Sequence, residues 1–236
     1  MTNFQKRIIT SIILLFFLII INFTKLFGIG VLIICGWICI EFSEMFTKLV
    51  GGGLIKSRPK NSYPDKFNFK YWALQLPIIL YMFVIFGGSA NELHGRSGSP
   101  VFFLYVLSIC FLSDIGGYFI GKLIGGKKLT KISPNKTISG SCGSFIFSVL
   151  PFFIFYNFYK NSDYLLYNNI LFNISSCLYL SLVCQLGDLF VSYFKRLAKV
   201  KDTGKLLPGH GGLLDRIDGI IFALPSYLLF GYFYFL

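Results

Sequence analysis

The chain reads as an all-α, polytopic integral membrane protein with about seven transmembrane helices and a cytoplasmic N-terminus. Three observations predict this. Of its 236 residues, 55% are hydrophobic and 14% charged, against about 25% charged in soluble domains. Apolar runs close to the roughly 17–25 residues that cross a bilayer recur along the chain. The basic residues are also distributed unevenly between the segments that separate those runs. The formal net charge of +12 is therefore read as loop charge beside a membrane, and nucleic acid is excluded as a partner.

In chain order the expected spans are 8–23, 26–42, 71–87, 100–123, 143–158, 164–191 and 219–236. The first, fifth and last are the shortest. Lys6 and Arg7 before the first span resemble the start of a secretory signal. No small-residue cleavage site follows Ile21, so the run is kept as a span. Between Met45 and Lys70 lie Gly51-Gly52-Gly53, Arg58-Pro59 and Tyr63-Pro64, which resist a continuous helix. Residues 1–70 thus form a transmembrane hairpin with a cytoplasmic linker, and residues 71–236 form the catalytic domain. The segment from Gly87 to Pro100 is expected to be an outside loop. With the N-terminus inside, all of the 22 basic residues except Lys25, Arg96 and Lys160 fall in cytoplasmic segments. The six cysteines form no Cys-x-x-Cys pair and read as small buried hydrophobes in a reducing setting. No internal repeat is present.

The stretch from Asp188 to Asp218 departs from this apolar background. It holds Asp188, Asp202, Asp215 and Asp218, four of the ten acidic residues, with Lys195, Arg196, Lys199, Lys201, Lys205 and Arg216. Such density of both signs at a membrane boundary is costly unless something charged binds there. On a helix, Ser192 and Lys195 share the face of Asp188. Asp215 and Asp218 are three apart, and a helix starting there aims both the same way. One acid alone would simply pair with a neighbouring lysine or arginine. Three framing a basic, Gly-rich loop suit magnesium, which takes few protein ligands and is completed by waters and substrate phosphates. Arg196 and Arg216 are the better phosphate contacts, because guanidinium binds two oxygens at once. Gly209-His210-Gly211-Gly212 lets backbone N–H groups approach an anion. His210 is assigned to substrate contact, without a catalytic role.

A second cluster runs from Asp114 to Ser144. Asp114 lies inside a span and is expected to face the bundle interior. Gly117, Gly121 and Gly125 recur every four residues and allow close helix approach. A basic, hydroxyl-rich segment follows, with Lys127, Lys128, Thr130, Lys131, Ser133, Lys136, Thr137 and Ser139. Glu41 and Glu44, three apart at the end of the second span, either cap the helix at the interface or line the site, and the interface reading is preferred.

Two of these segments carry a family resemblance. Ser192-x-Phe194-Lys195-Arg196, then Lys201-Asp202-x-Gly204, then Leu207-Pro208-x-His210-Gly211-Gly212-Leu213-x-Asp215-Arg216-Ile217-Asp218 resembles the defining motif of the phosphatidate cytidylyltransferase family. Ser133-Pro134-x-Lys136-Thr137 is similar to a second segment of that family, with Ser139 where the family usually has Glu. The resemblance is strong over 112–144 and 185–219 and weak before residue 70. It implies that CTP and phosphatidate give CDP-diacylglycerol and pyrophosphate; a bacterial cell (inner) membrane is expected, and the loop charges place the site on its cytoplasmic side. Magnesium is the expected metal, held by Asp188, Asp215 and Asp218; a second, monovalent cation such as K+ is a further option. Asp188, Lys201, Asp215, Arg216 and Asp218 are expected to be catalytic. Asp114, Ser133, Lys136, Thr137, Ser192, Lys195, Arg196, His210, Gly211 and Gly212 are expected to bind substrate. Partners are CTP, phosphatidate and the bilayer, with a homodimer left open.

Two other classes were weighed. A transporter of a phosphorylated solute would also want intramembrane acids and a basic vestibule, but it predicts related halves. The CDP-alcohol phosphotransferase pattern Asp-x-x-Asp-Gly-x-x-Ala-Arg begins at Asp215 but lacks its closing Ala-Arg.

Overall fold

A computed structural model describes residues 16–49, 69–95, 100–130, 132–159, 169–204, 206 and 211–234. Within them the protein is helical, as expected for an all-α membrane protein. The elements are α1 (16–22), α2 (Phe27–Leu49), α3 (Phe69–Leu80), a π-helix (Tyr81–Phe86), α4 (Gly87–Gly95), α5 (Val101–Ile124), α6 (Ile138–Ser148), α7 (Leu150–Tyr159), α8 (Ile170–Leu197), α9 (Leu214–Ile217) and α10 (Ile220–Tyr234). Five stretches among the described residues are long and apolar enough to cross a membrane: Phe27–Lys48, Gln75–Gly95, Val101–Ile124, Ile138–Asn157 and Ile170–Leu197. Half of the first expected span, residues 8–15, lies outside the described residues. The last expected span is a 15-residue helix.

The chain divides into two compact units. One comprises residues 1–88 with 193–217, the other residues 89–192 with 218–236.

In the first unit, α2 runs seven residues past its expected end at Phe42. It closes with Lys48 in its last turn, where a cation suits the helix dipole. Pro77 inside α3 removes a backbone donor, and the ladder widens into the π turn soon after it. There Gly87 N and the Cys35 thiol (3.2 Å) both donate to the Met82 carbonyl. Helix then continues to Gly95, so the outside loop expected from Gly87 is helical over most of its length. Gly-Gly-Ser costs a helix only about 1 kcal/mol per glycine, too little to stop an element already propagating. Phe42 and Phe194 stack at 6.2 Å beside buried Met45 and Ala198.

In the second unit, α5 and α6 meet at their glycines. A Cβ on Gly116, Gly140 or Gly143 would come within 2.7 Å of a backbone oxygen of the facing helix, and one on Gly117 within 2.5 Å of the Ser144 hydroxyl. Close approach is thus confirmed for Gly117 and Gly121. Gly125 does something else: it ends α5 at φ +65°, with no atom near its missing side chain. Between α5 and α6 the chain forms one antiparallel bridge, Lys128 to Thr137. It is closed by Leu129 N to Lys136 O (2.9 Å) and Ile138 N to Lys127 O (3.1 Å). Thr137 caps α6 by accepting from Gly140 N at 3.1 Å. Polar side chains join α5, α6 and α8: Ser113 to Ser181 at 2.8 Å, Gln185 to Ser181, and Ser141 to Gln185.

All six cysteines are free thiols. Cys35, Cys110, Cys177 and Cys184 are buried as expected, whereas Cys142 is exposed.

Candidate active site

The charged segment 188–218 contributes to both units, and each unit builds its own cluster.

In the first unit the cluster centres on two acids. Asp215 lies in the first turn of α9. Its Oδ1 accepts from Lys195 Nζ at 2.9 Å, with both side chains nearly buried (11% and 8% exposed). Its Oδ2 accepts from Thr203 N (2.8 Å), Thr203 Oγ1 (3.1 Å) and Gly212 N (3.0 Å). The second acid is Glu41 of α2, only 4% exposed. Its Oε1 accepts from Trp37 Nε1 (3.1 Å) and Leu213 N (2.8 Å). Its Oε2 accepts from Leu214 N (2.9 Å) and Thr203 Oγ1 (3.0 Å). The hydroxyl of Thr203, itself 2% exposed, stands between the two carboxylates. At the described end of the Gly-rich turn, the N–H groups of Gly212, Leu213 and Leu214 converge on carboxylates. The anions it cradles among the described residues are the protein's own.

Glu41 corrects the sequence reading. An interface acid at a helix end was expected; the residue is interior to α2 and buried against the motif loop. Apart from Trp37, one turn away, its partners lie more than 160 positions away in sequence. Glu44 on the same helix is exposed, as an interface residue would be.

The loop glycines follow from these contacts. A Cβ on Gly212 would come within 2.4 Å of Glu41 Oε2, and one on Gly204 within 2.8 Å of Glu41 Oε1. Gly211 holds φ +85°, and its missing Cβ faces Asp215 Oδ2. Lys199 takes the left-handed conformation at φ 55°, turning the chain out of α8 as Val200 N returns to Lys195 O at 2.9 Å. Arg196, Lys201, Asp202 and Arg216 are exposed. His210, with Lys205, Pro208 and Gly209, lies outside the described residues.

In the second unit Asp188 of α8 carries its carboxylate between two side chains. Ser192 Oγ donates to Oδ1 at 3.1 Å, the offset of four anticipated from helical spacing. Lys136 Nζ forms an ion pair with Oδ2. Lys136 comes from the loop before α6, so both sequence motifs meet here. Asp218 is 9% exposed and its Oδ1 accepts from Gly219 N at 2.9 Å. A Cβ on Gly187 would lie 3.0 Å from the Asp218 carbonyl, and one on Gly219 would lie 2.8 Å from the Cys184 carbonyl. Two glycines thus bring the backbone next to Asp188 against the backbone of Asp218. Both elements contribute an acid at that crossing. The shared helix expected for Asp215 and Asp218 is not formed: α9 stops at Ile217, and Asp218 sits in the turn before α10.

Three other assigned residues occupy defined places in this unit. Thr137 is buried as the α6 cap. Ser133 shapes the loop, its carbonyl accepting from Lys136 N at 3.1 Å and its N–H donating to Thr130 Oγ1 at 3.3 Å. Asp114 is exposed, contrary to the expected interior position. Ser113 beside it is fully buried against Ser181, and one residue is about 100° of helix rotation. Ser139 donates to the Gly125 carbonyl and lies 3.0 Å from Thr137 Oγ1, tying the end of α5 to the start of α6.

Within neither unit do three His, Cys, Asp or Glu side chains gather as a metal cluster among the described residues. The donor chemistry nevertheless suits a hard cation. Ammonium groups sit on Asp188 and Asp215, and the oxygens around them are carboxylates and hydroxyls.

A family profile described as the Cytidylyltransferase family matches residues 2–234. Among curated proteins, the chain is 43% identical over 136 residues to a Staphylococcus haemolyticus protein named phosphatidate cytidylyltransferase. That match takes in 55% of this chain and 48% of the relative. Proteins of the same name from Staphylococcus aureus and Staphylococcus epidermidis are 39% and 38% identical over 163 and 162 residues. Each of those two matches takes in 68% of this chain and 59% of the relative. The aligned part thus spans about half to three-fifths of the length of the curated relatives.

Proposed function

This chain belongs to the cytidylyltransferase family, and from that premise we propose that it transfers the cytidylyl group of CTP to phosphatidate. A phosphate oxygen of the lipid forms a bond to the α-phosphorus of CTP. The bond from that phosphorus to the α–β bridging oxygen breaks, and pyrophosphate leaves with its electron pair. The products are CDP-diacylglycerol and pyrophosphate.

One observation carries the reading: Lys136 and Ser192, one from each motif, meet on the Asp188 carboxylate, and the backbone next to Asp188 crosses that of Asp218. A phosphate monoester has a second pKa of about 6, so the lipid is already largely a dianion at neutral pH and needs no strong base. What the reaction requires is alignment and relief of anion–anion repulsion. The exposed cations Arg196, Lys201 and Arg216 suit phosphate contact in the first unit, and Lys136 does so in the second. Within the second unit Asp188 and Asp218 would hold magnesium, which when bound would neutralise phosphate charge and orient the reacting oxygens. Oδ1 of Asp215, whose described partner is an ammonium, suits a cation better than the crowded Oδ2.

The membrane setting agrees with a lipid substrate. The loop-charge bias supports a site on the cytoplasmic side, where CTP is dissolved, and the staphylococcal relatives support a bacterial membrane. The transporter alternative gains nothing from the fold or from the family.

The test is labelled CTP offered to the purified protein with phosphatidate in detergent, with and without chelator. The expected result is label in the lipid fraction, lost on chelation and restored by magnesium. Folded protein that leaves the lipid unlabelled overturns the proposal. Transfer that survives exhaustive chelation overturns the metal assignment.

A further inference from the structure

Glu41 lies in the N-terminal part of the chain, outside both motifs, yet its carboxylate is among the most thoroughly bonded groups in the first unit. We infer that Glu41 is a positioning residue for CTP: it fixes Thr203 at one end of the loop and Leu213 and Leu214 at the other, and so places the neighbouring Lys201 and Arg216. The inference rests on the CTP reading above.

A buried carboxylate is expensive, and hydrogen bonds from neutral groups compensate it only when they are well placed. Glu41 is 4% exposed, and no described lysine or arginine pairs with it. Its described donors are one indole N–H, two consecutive backbone N–H groups and one hydroxyl. A glutamine could not replace it, because its amide nitrogen would have to face donors on one side or the other. The two backbone donors, Leu213 and Leu214, lie at the start of α9, which carries Asp215 and Arg216. The hydroxyl belongs to Thr203, two residues after Lys201. One carboxylate therefore grips both ends of the segment between the two cations.

The loop is shaped around this carboxylate as well as bonded to it. Gly204 and Gly212 both stand where a side chain would collide with its oxygens, at 2.8 and 2.4 Å. Thr203 is the shared element, since its hydroxyl reaches Glu41 at 3.0 Å and Asp215 at 3.1 Å. A shift in Glu41 thus moves the group that also orders Asp215. Positioning errors of about 1 Å far from the reacting atoms can reduce rates about 100-fold.

The experiment measures CTP-dependent lipid labelling across CTP concentrations for wild type, Glu41→Gln, Thr203→Val, Thr203→Ser and Glu44→Gln. Thermal melting in the same detergent reports folding. Glu41→Gln and Thr203→Val are expected to raise KM for CTP about tenfold or more, with a smaller change in kcat. Thr203→Ser, which keeps the hydroxyl, and Glu44→Gln on the exposed face stay within about twofold. A folded Glu41→Gln with the KM of wild type overturns the inference. If Glu41→Gln does not fold, Thr203→Val decides, and an unchanged KM there overturns it. A Thr203→Ser as impaired as Thr203→Val also overturns it, because the hydroxyl would then not be the operative group. A wild type that labels no lipid sinks the CTP reading itself, whereas normal kinetics in the variants sink only the role of Glu41.

Discussion

Each of the two central acids of the first unit accepts from two backbone N–H groups as well as two side chains, whereas Asp188 of the second meets the side chains of Lys136 and Ser192. Glu41 and Asp215 accept from the N–H groups of Thr203, Gly212, Leu213 and Leu214, donors that cannot move without refolding the loop. Asp188 meets a lysine and a serine, both of which can rotate away. Fixed donors build a shape; movable donors leave a charge that substrate or cation can claim. The contrast suggests a division of labour within one motif, with one group of carboxylates organising the loop and another engaging ligands.

Substituting the two acids at the backbone crossing of the second unit tests this division most severely. Asp188→Asn and Asp218→Asn should each lower CTP-dependent lipid labelling by about 100-fold or more, the scale for losing one preorganised electrostatic group. Melting temperature should move little, because solvent or side chains can satisfy the amide. Substantial activity in either variant would break the comparison.

Asp215→Asn should behave differently. It leaves the nearly buried Lys195 ammonium without its carboxylate, and breaking a buried pair costs about 3 kcal/mol or more. Denaturant unfolding in detergent should show that loss alongside reduced activity. Unfolding that matches wild type would mean that Asp215 is no anchor.

The backbone crossing beside Asp188 offers a smaller, sharper test. Gly187→Ala and Gly219→Ala place a Cβ within 2.7 Å of Phe222 and 2.8 Å of the Cys184 carbonyl. Overpacking of that kind costs about 1–3 kcal/mol. It should also separate Asp188 from Asp218, so activity should fall further than stability alone explains. Equal behaviour of these variants and an exposed glycine variant such as Gly88→Ala would remove the crossing from the argument.

The smallest effect is expected at Lys199. Its left-handed backbone costs a side chain about 1 kcal/mol, so Lys199→Gly should raise the melting temperature slightly and leave KM for CTP unchanged. A changed KM would show that the turn out of α8 also shapes the nucleotide loop.

Much of the fold was legible because hydropathy is a local property. The spans beginning near residues 26, 71 and 100 appear as helices, and the glycine spacing in α5 marks a real close approach. Helix ends were less legible. α2 overran its expected end and α4 replaced an expected loop, since a few polar or glycine residues rarely outweigh a propagating helix. The acids and cations of the motif were legible from charge density alone. The orientation of Asp114 was not, since it depends on which side of α5 meets α8.

Composition, charge bias and motif spacing by themselves determined that this is a helical membrane protein carrying a segment dense in charges of both signs. Those features are written in runs of neighbouring residues, and solvent transfer and turn chemistry act on them one stretch at a time. Only the tertiary structure decided which donors each carboxylate meets, and that Glu41 and Thr203, distant in sequence, share a hydrogen bond. Such partners are chosen by how the chain folds back on itself, and a hydrogen bond needs atoms about 3 Å apart, a condition that no local pattern records.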